Sequence, residues 1–358
     1  MLRSLVGSEM CIRDRLGTTG KQSGQMPGLI LTLTPNPSID ATIALNERLL
    51  HGAVNRAAHV TQVAGGKGLN VSLAAQLAEH PTAAIVPARD DDPFIRLASR
   101  TGIACHRVPI TPLCRVNTTV NEPGGKTTKL NGPGPALSPE EKQAIEDELA
   151  QRAPTADWIV LGGSLPGGVP VDWYCRLVQV ARAANPTAQI AVDTSEDPLC
   201  EIVRDLPASA PDLVKPNAHE LAQIPSEFRT GSSADATGDE LEAQAAQGDC
   251  SGIISAARVL TARGVGRLLV TLGSAGAVLV TDDAAWSATP PPIDKVASTV
   301  GAGDATLAGF ILAESAGASP AEALRQAVAY GSAAVTLPGS ELPAPGDVDI
   351  AGTQVREL

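Results

Sequence analysis

This sequence predicts an α/β fold: a mainly parallel sheet covered by helices on both faces, with a small separate β-sheet as a lid. Three observations predict it. From Gly28 onward, apolar strand-like runs alternate with stretches of helical periodicity, the pattern of βαβ units. That alternation is interrupted by β-like pieces with no helices between them, which fit a second, smaller sheet over the cleft of the first. Finally, 43% of the 358 residues are hydrophobic but only 2% aromatic, so the core is built from Val, Leu, Ile and Ala. A chain of this length buries one large core, or one core plus a small accessory element.

The elements follow in order. Residues 29–33 are an apolar strand ending in the turn Thr34-Pro35-Asn36-Pro37. Short β pieces cover 41–45 and 58–63. Leu69, Leu73 and Leu77 recur every fourth residue, predicting a helix over 68–79. Residues 82–88 read as a strand and 93–100 as a helix. Segments 116–121 and 127–130 alternate around Gly124-Gly125, a hairpin signal. The lid is therefore placed at about 41–64 and 107–131. Ser138-Pro139-Glu140-Glu141 is a capping box with Pro at the first helical position, so a helix begins there. Strands follow at 158–161, 189–192, 212–215, 267–272 and 277–280. Residues 225–250, polar, acidic and rich in Ala, Gly and Ser, read as a surface insertion, disordered in part. Two helices, 305–316 and 320–334, close the chain.

Charge and cysteines exclude several classes. With 27 Lys and Arg against 39 Asp and Glu, the net charge is −12, which argues against nucleic-acid and membrane-surface partners. The six cysteines show no C-x-x-C and no paired Cys/His spacing, so they are expected to be reduced thiols in a cytoplasmic protein. No run of 18 apolar residues spans a membrane. Residues 1–25 carry no pattern and read as a non-native or disordered segment, with Met26 as the expected native start. No G-x-G-x-x-G follows the first strand, which speaks against a nicotinamide dehydrogenase.

The most informative run is Ser298-Thr299-Val300-Gly301-Ala302-Gly303-Asp304, leading into an apolar helix. Two glycines allow a tight turn with its N–H groups aimed one way, and the helix adds the positive end of its dipole. Such a turn suits a migrating phosphoryl group. Asp304 would be out of place for anion binding alone, and makes sense as the acceptor of a proton from an attacking hydroxyl. Judged singly, the run is also explained as a Gly-rich turn with an acidic residue in the first helical turn.

Other clusters sit where strands meet helices. Gly65-Gly66-Lys67-Gly68-Leu69-Asn70 lets a ligand approach the backbone while Lys67 and Asn70 reach phosphate or hydroxyls; it is not a Walker loop. Asp40 lies past the end of the first strand, near the usual crevice of an open α/β sheet, or simply caps a turn. In Lys215-Pro216-Asn217-Ala218-His219-Glu220, Asn217 and Glu220 face one side of a helix start, and an amide oxygen with a carboxylate suits hydrated Mg²⁺. Lys215 would meet nucleotide phosphates; His219 is given no role. Gly162-Gly163-Ser164 follows another strand. Arg115 and Lys129 flank the lid hairpin, either as phosphate ligands or as solvated charges.

Taken together and in order, TLTPNPSID (32–40), GGKGLN (65–70), TTKLNGPGP (127–135), GGSLPGGVP (162–170), KPNAHEL (215–221) and STVGAGD (298–304) resemble the ribokinase-like, or phosphofructokinase-B, sugar kinases. Within them the chain is most similar to the fructose-1-phosphate and tagatose-6-phosphate kinase branch, over about 28–348. The resemblance implies a Rossmann-like main domain with a β lid, and ATP- and Mg²⁺-dependent phosphorylation of a hexose monophosphate. It implies Asp304 as base, with the N–H groups of Gly301, Ala302 and Gly303 as an anion hole. Asp40, Gly66, Asn70 and Ser164 would contact the sugar, with Lys67 and Arg115 at its phosphate. Lys215, Thr271, Gly273 and Gly276 would line the nucleotide side, and Asn217 and Glu220 would organise Mg²⁺, largely through water. A homodimer through the lid is implied as well. Two departures stand out: residues 87–93 replace a Gly-rich turn, and Gly132 stands where this branch often has Glu. A kinase of an unphosphorylated sugar or nucleoside, and a non-catalytic sugar-phosphate binder, are the competing readings.

Overall fold

The computed structural model describes residues 28–229 and 235–358; the reading of 1–25 and Met26 lies outside them, as do residues 230–234 of the insertion. In chain order the strands are β1 (Leu29–Leu33), β2 (Ser38–Leu45), β3 (Ala57–Gly65), β4 (Thr82–Ala88), β5 (Ala104–Pro109), β6 (Arg115–Asn121), β7 (Thr127–Asn131), β8 (Ala156–Gly162), β9 (Gln189–Asp193), β10 (Leu213–Val214), β11 (Arg267–Thr271), β12 (Ala277–Val280), β13 (Ala285–Thr289) and β14 (Gln354–Glu357). The helices are α1 (Lys67–Leu77), α2 (Pro93–Ser99), α3 (Pro139–Arg152), α4 (Trp173–Ala184), α5 (Glu196–Asp205), α6 (Ala218–Gln223), α7 (Gly238–Ala246), α8 (Ser251–Thr261), α9 (Ala302–Ser315) and α10 (Pro320–Ala334).

Among the described residues ten strands form the main sheet in the order β14-β13-β12-β11-β10-β9-β8-β1-β4-β5. From β11 to β5 every pairing is parallel, and β12, β13 and β14 extend the sheet antiparallel. Side chains alternate across it with period two. Ile30, Trp158, Val160 and Ala191 pack beneath α1, α9 and α10. Their neighbours Leu31, Leu33, Ile159, Leu161, Ile190 and Val192 pack on the other face beneath α3 and α4. Strand β1 has β4 on one side and β8 on the other, so chain order reverses at this point. In such sheets the crevice beyond the strands' carboxyl ends is where ligands bind.

The second sheet runs β3-β2-β6-β7. Its hairpin β6–β7 turns through Gly124 and Gly125 at φ 89° and 86°, a conformation that costs glycine little and other residues much. Register makes this sheet amphipathic. Ile39, Ala41, Ile43, Val60, Val116, Val120 and Leu130 share one face; Asp40, Arg115, Asn117, Lys129 and Asn131 share the other.

Three boundaries differ from the sequence expectation. Residues 107–109, expected in the lid, belong to β5 of the main sheet, where Val108 is buried and pairs with Pro87. A short β piece beside turn residues looks the same whichever sheet receives it. The lid strand β2 starts at Ser38 and so includes Asp40. The insertion holds a formed helix, α7, capped reciprocally by Thr237 and Glu240 and anchored by buried Leu241. Among the described residues no helix is long and apolar enough to cross a membrane, and Cys105, Cys114, Cys175, Cys200 and Cys250 are free thiols.

Candidate active site

The site collects at the carboxyl ends of β1, β8, β9, β10 and β11, where α1 and α9 also begin. Helix α9 starts at Gly301, which takes a left-handed φ of 81° and offers no side-chain acceptor to the helix's first N–H groups. Those donors have no intrahelical partner and face a cavity of about 840 Å³. Asp304, one turn in, lines the same cavity and is 8% exposed.

Helix α1 brings two further groups. Gly66 caps it at φ 139°, and a Cβ there would run into Thr34 Cγ2. The turn therefore requires glycine, and it sets Lys67 and Asn70 three residues apart on one helical face. Asn70 Nδ2 donates to Asp304 Oδ2 at 2.7 Å. Lys67 Nζ donates to Asp193 Oδ1 at 2.7 Å and approaches Glu220 Oε1 at 4.0 Å. The other Asp193 oxygen faces Lys215 Nζ at 3.0 Å. Asp193 thus sits between two ammonium groups contributed by different elements.

This geometry sets the charge states. Burial, and secondarily the Asp193 charge, push the Asp304 carboxyl up to about 6, against Lys67, the Asn70 hydrogen bond and Lys215. Burial also works to raise Asp193, but Lys215 and Lys67 outweigh it and hold that carboxyl below its ordinary value. Lys67 lies above the ordinary lysine value: burial lowers it, and the carboxylates of Asp193, Glu220 and Asp304 more than compensate. The result is a poised carboxylate beside cationic groups and unpaired amides, an arrangement able to accept a proton while negative charge is held nearby.

The sequence-predicted residues divide into two groups. Asp304, Gly301, Ala302, Gly303, Lys67, Lys215, Asn217, Glu220, Thr271, Gly273 and Gly276 line the one cavity. Asp40, Gly66, Asn70, Arg115 and Ser164 do not line it, although Asn70 reaches its wall through the bond to Asp304. Asp40 lies on the polar face of the lid sheet, where Oδ1 accepts from Ser38 Oγ at 2.7 Å and Asn117 Nδ2 at 3.0 Å. Ser164 Oγ accepts from Asn36 Nδ2 at 3.2 Å. Arg115 pairs in register with Ser38, donates to Gly132 O at 3.4 Å, and has no hydrogen-bond partner for its buried Nε among the described residues. Burial lowers its guanidinium from the usual value, opposed by Asp40. The place where the branch often has Glu, Gly132, lies against Arg115 and Val116, so a side chain there would meet Val116 O at 2.8 Å.

Asn217 and Glu220 cap α6 reciprocally: Asn217 Oδ1 accepts from Glu220 N at 2.8 Å, and Glu220 Oε2 from Asn217 N at 2.8 Å. Glu220 Oε1 takes no part in the cap and has Lys67 Nζ 4.0 Å away. Among the described residues no group of three or more His, Cys, Asp and Glu is arranged to hold a metal ion.

Sequence reasoning missed Asp193, Asn36, Asn117 and Glu242, and gave no role to His219, which lines the cavity with Glu242 and Lys129. Asp193 had a usable signal. It closes the apolar strand QIAVD at its carboxyl end, the placement that singled out Asp40.

Comparison with known proteins agrees with this geometry. The family model described as pfkB family carbohydrate kinase matches residues 34–346. A 1-phosphofructokinase of Haloferax volcanii is 38% identical over 333 residues, covering 92% of this chain and 98% of that protein. A 1-phosphofructokinase of Xanthomonas campestris is 37% identical over 290 residues, covering 79% and 83%. Among solved structures, phosphofructokinase-2 from Escherichia coli in complex with substrates and products superposes with a TM-score of 0.76 at 27% identity, covering 89% of this chain and 96% of that one.

Proposed function

Because the chain belongs to the pfkB family of carbohydrate kinases, we propose that it transfers the terminal phosphoryl group of ATP to a hydroxyl of a hexose monophosphate. Fructose 1-phosphate, giving fructose 1,6-bisphosphate, is the substrate favoured by the two 1-phosphofructokinase relatives; tagatose 6-phosphate is the second choice. The observation that carries the reading is Asp304 at the start of α9, inside a cavity that also presents Lys67, Lys129, Lys215 and uncapped helix amides.

In the proposed step the sugar hydroxyl gives its proton to Asp304 as its oxygen bonds to phosphorus, and the bond to the leaving ADP oxygen breaks. The amides of Gly301–Gly303 and the Lys215 ammonium hold the charge on the migrating group; Asn70 orients Asp304 by its hydrogen bond. The Asp40–Asn117 and Asn36–Ser164 pairs supply hydroxyl partners, and Arg115 and Lys67 supply cationic ones for the sugar's phosphate. Mg²⁺ would be held through Glu220 Oε1, which accepts no hydrogen bond within the α6 cap and has Lys67 Nζ 4.0 Å away, with water completing the shell. When bound, it would neutralise nucleotide phosphate charge.

The lid sheet supports a homodimer. Its apolar face leaves Val60, Val116 and Leu130 52%, 45% and 61% exposed, and a second copy is the proposed cover. The free thiols fit a reducing compartment, and the cytoplasm is the proposed location.

The test is a coupled ADP-release assay with Mg-ATP and a panel of hexose phosphates, the product position read by NMR. Fructose 1-phosphate should give the highest kcat/KM. Equal kcat/KM for free fructose would move the reading to a sugar kinase, and no ADP release across the panel would defeat it.

A further inference from the structure

The helix inside the insertion reaches the cavity. Helix α7 is held on α6 by a close contact: a Cβ at Gly238 would stand 2.6 Å from His219 Cα. Leu241 anchors it in the same buried cluster as Leu221 and Leu272. From this fixed helix Glu242 projects to the cavity, its Oε2 3.7 Å from where a Cβ of Gly273 would lie. His219 stands between two α7 carboxylates, with Nε2 3.0 Å from Asp239 Oδ1 and Nδ1 3.8 Å from Glu242 Oε1. No closer partner occupies the Glu242 carboxylate among the described residues, so its oxygens keep open acceptor capacity.

The turn from Thr271 to Gly276 shows which part of a ligand meets Glu242. At one end, Thr271 bridges to Asn217, beside the lysines and the α9 amides. At the other, Gly276 packs on Ala288 O and Pro290, a Cβ there lying 3.1 Å from Pro290 Cδ, and Pro290 lines the cavity together with the apolar Ile293, Val296 and Val335. Glu242 touches the turn midway, at Gly273. A nucleoside triphosphate has the same sequence of chemistries: anionic phosphates, a ribose with two vicinal hydroxyls, then a flat base. A carboxylate repels the first and has nothing to accept from an apolar contact with the third.

We propose that Glu242 reads the ribose, accepting hydrogen bonds from its 2′ and 3′ hydroxyls, so that α7 makes this protein selective for ribonucleotides. The proposal rests on the nucleotide occupying the 840 Å³ cavity, as in the function proposed above. His219 acts as a positioning residue for Glu242, and the glycine at 238 keeps the two helices close enough for it to do so.

Calorimetric binding of ATP, 2′-deoxy-ATP and 3′-deoxy-ATP to the full chain tests this. A hydrogen bond to a charged acceptor is worth about a tenfold change in affinity or more, so ATP should bind about tenfold more tightly than either deoxy analogue. Glu242→Gln, which keeps the side chain's shape, should reduce that ratio severalfold, and Glu242→Ala should bring it near one. Equal binding of ATP and 2′-deoxy-ATP by the natural protein overturns the ribose contact. So does a Glu242→Ala protein that binds all three more weakly with the ratio kept, since Glu242 would then only support the fold. Failure to bind ATP at all overturns the placement of the nucleotide together with the contact. Discriminating binding without phosphoryl transfer to any hexose phosphate upholds the contact and defeats the kinase reading alone.

Discussion

Asp304, the proposed base, has its carboxyl pushed up to about 6 and would lose that role when protonated, so kcat should rise with pH through that value and level off above 7. Asp304→Asn should lower kcat by orders of magnitude while leaving the KM values nearly unaltered; near-normal turnover would remove Asp304 from the chemistry. The same shift has a stability consequence. The folded-state value lies above the ordinary 3.8, so stability is present at low pH and lost as pH rises through 6. Asp304→Asn should therefore melt above the natural protein at pH 8, the gap narrowing as pH falls through 6. Asp193 offers an independent check. Asp193→Asn leaves two ammonium groups without their shared anion, at a cost on the order of 3–5 kcal/mol by chemical denaturation. In whatever fraction stays folded, the acid limb of the rate profile should move to lower pH, because the Asp193 charge helps raise Asp304.

Helix α1 is the element on which both charge contacts depend. Gly66→Ala forces a side chain into a φ of 139° and against Thr34, so it should displace Lys67 and Asn70 together. The expected result is a loss of more than about 1 kcal/mol in stability and a fall in kcat larger than for Asn70→Ala; unaltered kinetics would show that the turn does not set the site. Elements of this kind were legible because their signals are local. Capping boxes, the spacing of Leu69, Leu73 and Leu77, and the Gly124-Gly125 turn each depend on a few neighbouring residues. The remainder depends on distant partners. Asp193 acquires meaning only through Lys67, 126 residues away in sequence, and Lys215. Strand β5 could be assigned to a sheet only once its pairing with β4 was visible. Helix α7 was hidden by a polar composition that its one buried leucine barely interrupts.

For the whole molecule, the division of labour between the two sheets is decisive. The large sheet fixes the carboxyl ends that carry Asp193, Lys215 and Thr271, and the small one carries Asp40 and Arg115 on its polar face. Val60, Val116 and Leu130 are about half exposed, so covering them would stabilise an association by roughly 1 kcal/mol per side chain. Leu130→Glu should therefore convert a dimer to monomers in sedimentation; a natural protein that already sediments as a monomer would end this reading.

From the polar face of the small sheet Lys129 reaches the cavity, while the opposite, oily side carries exposed Val60, Val116 and Leu130, so one sheet would serve both the proposed catalysis and the proposed assembly. If a second copy braces that oily side, diluting the enzyme slackens the wall of its own pocket. Specific activity should then decline in assays run at ever lower enzyme concentration, and return when the sample is reconcentrated.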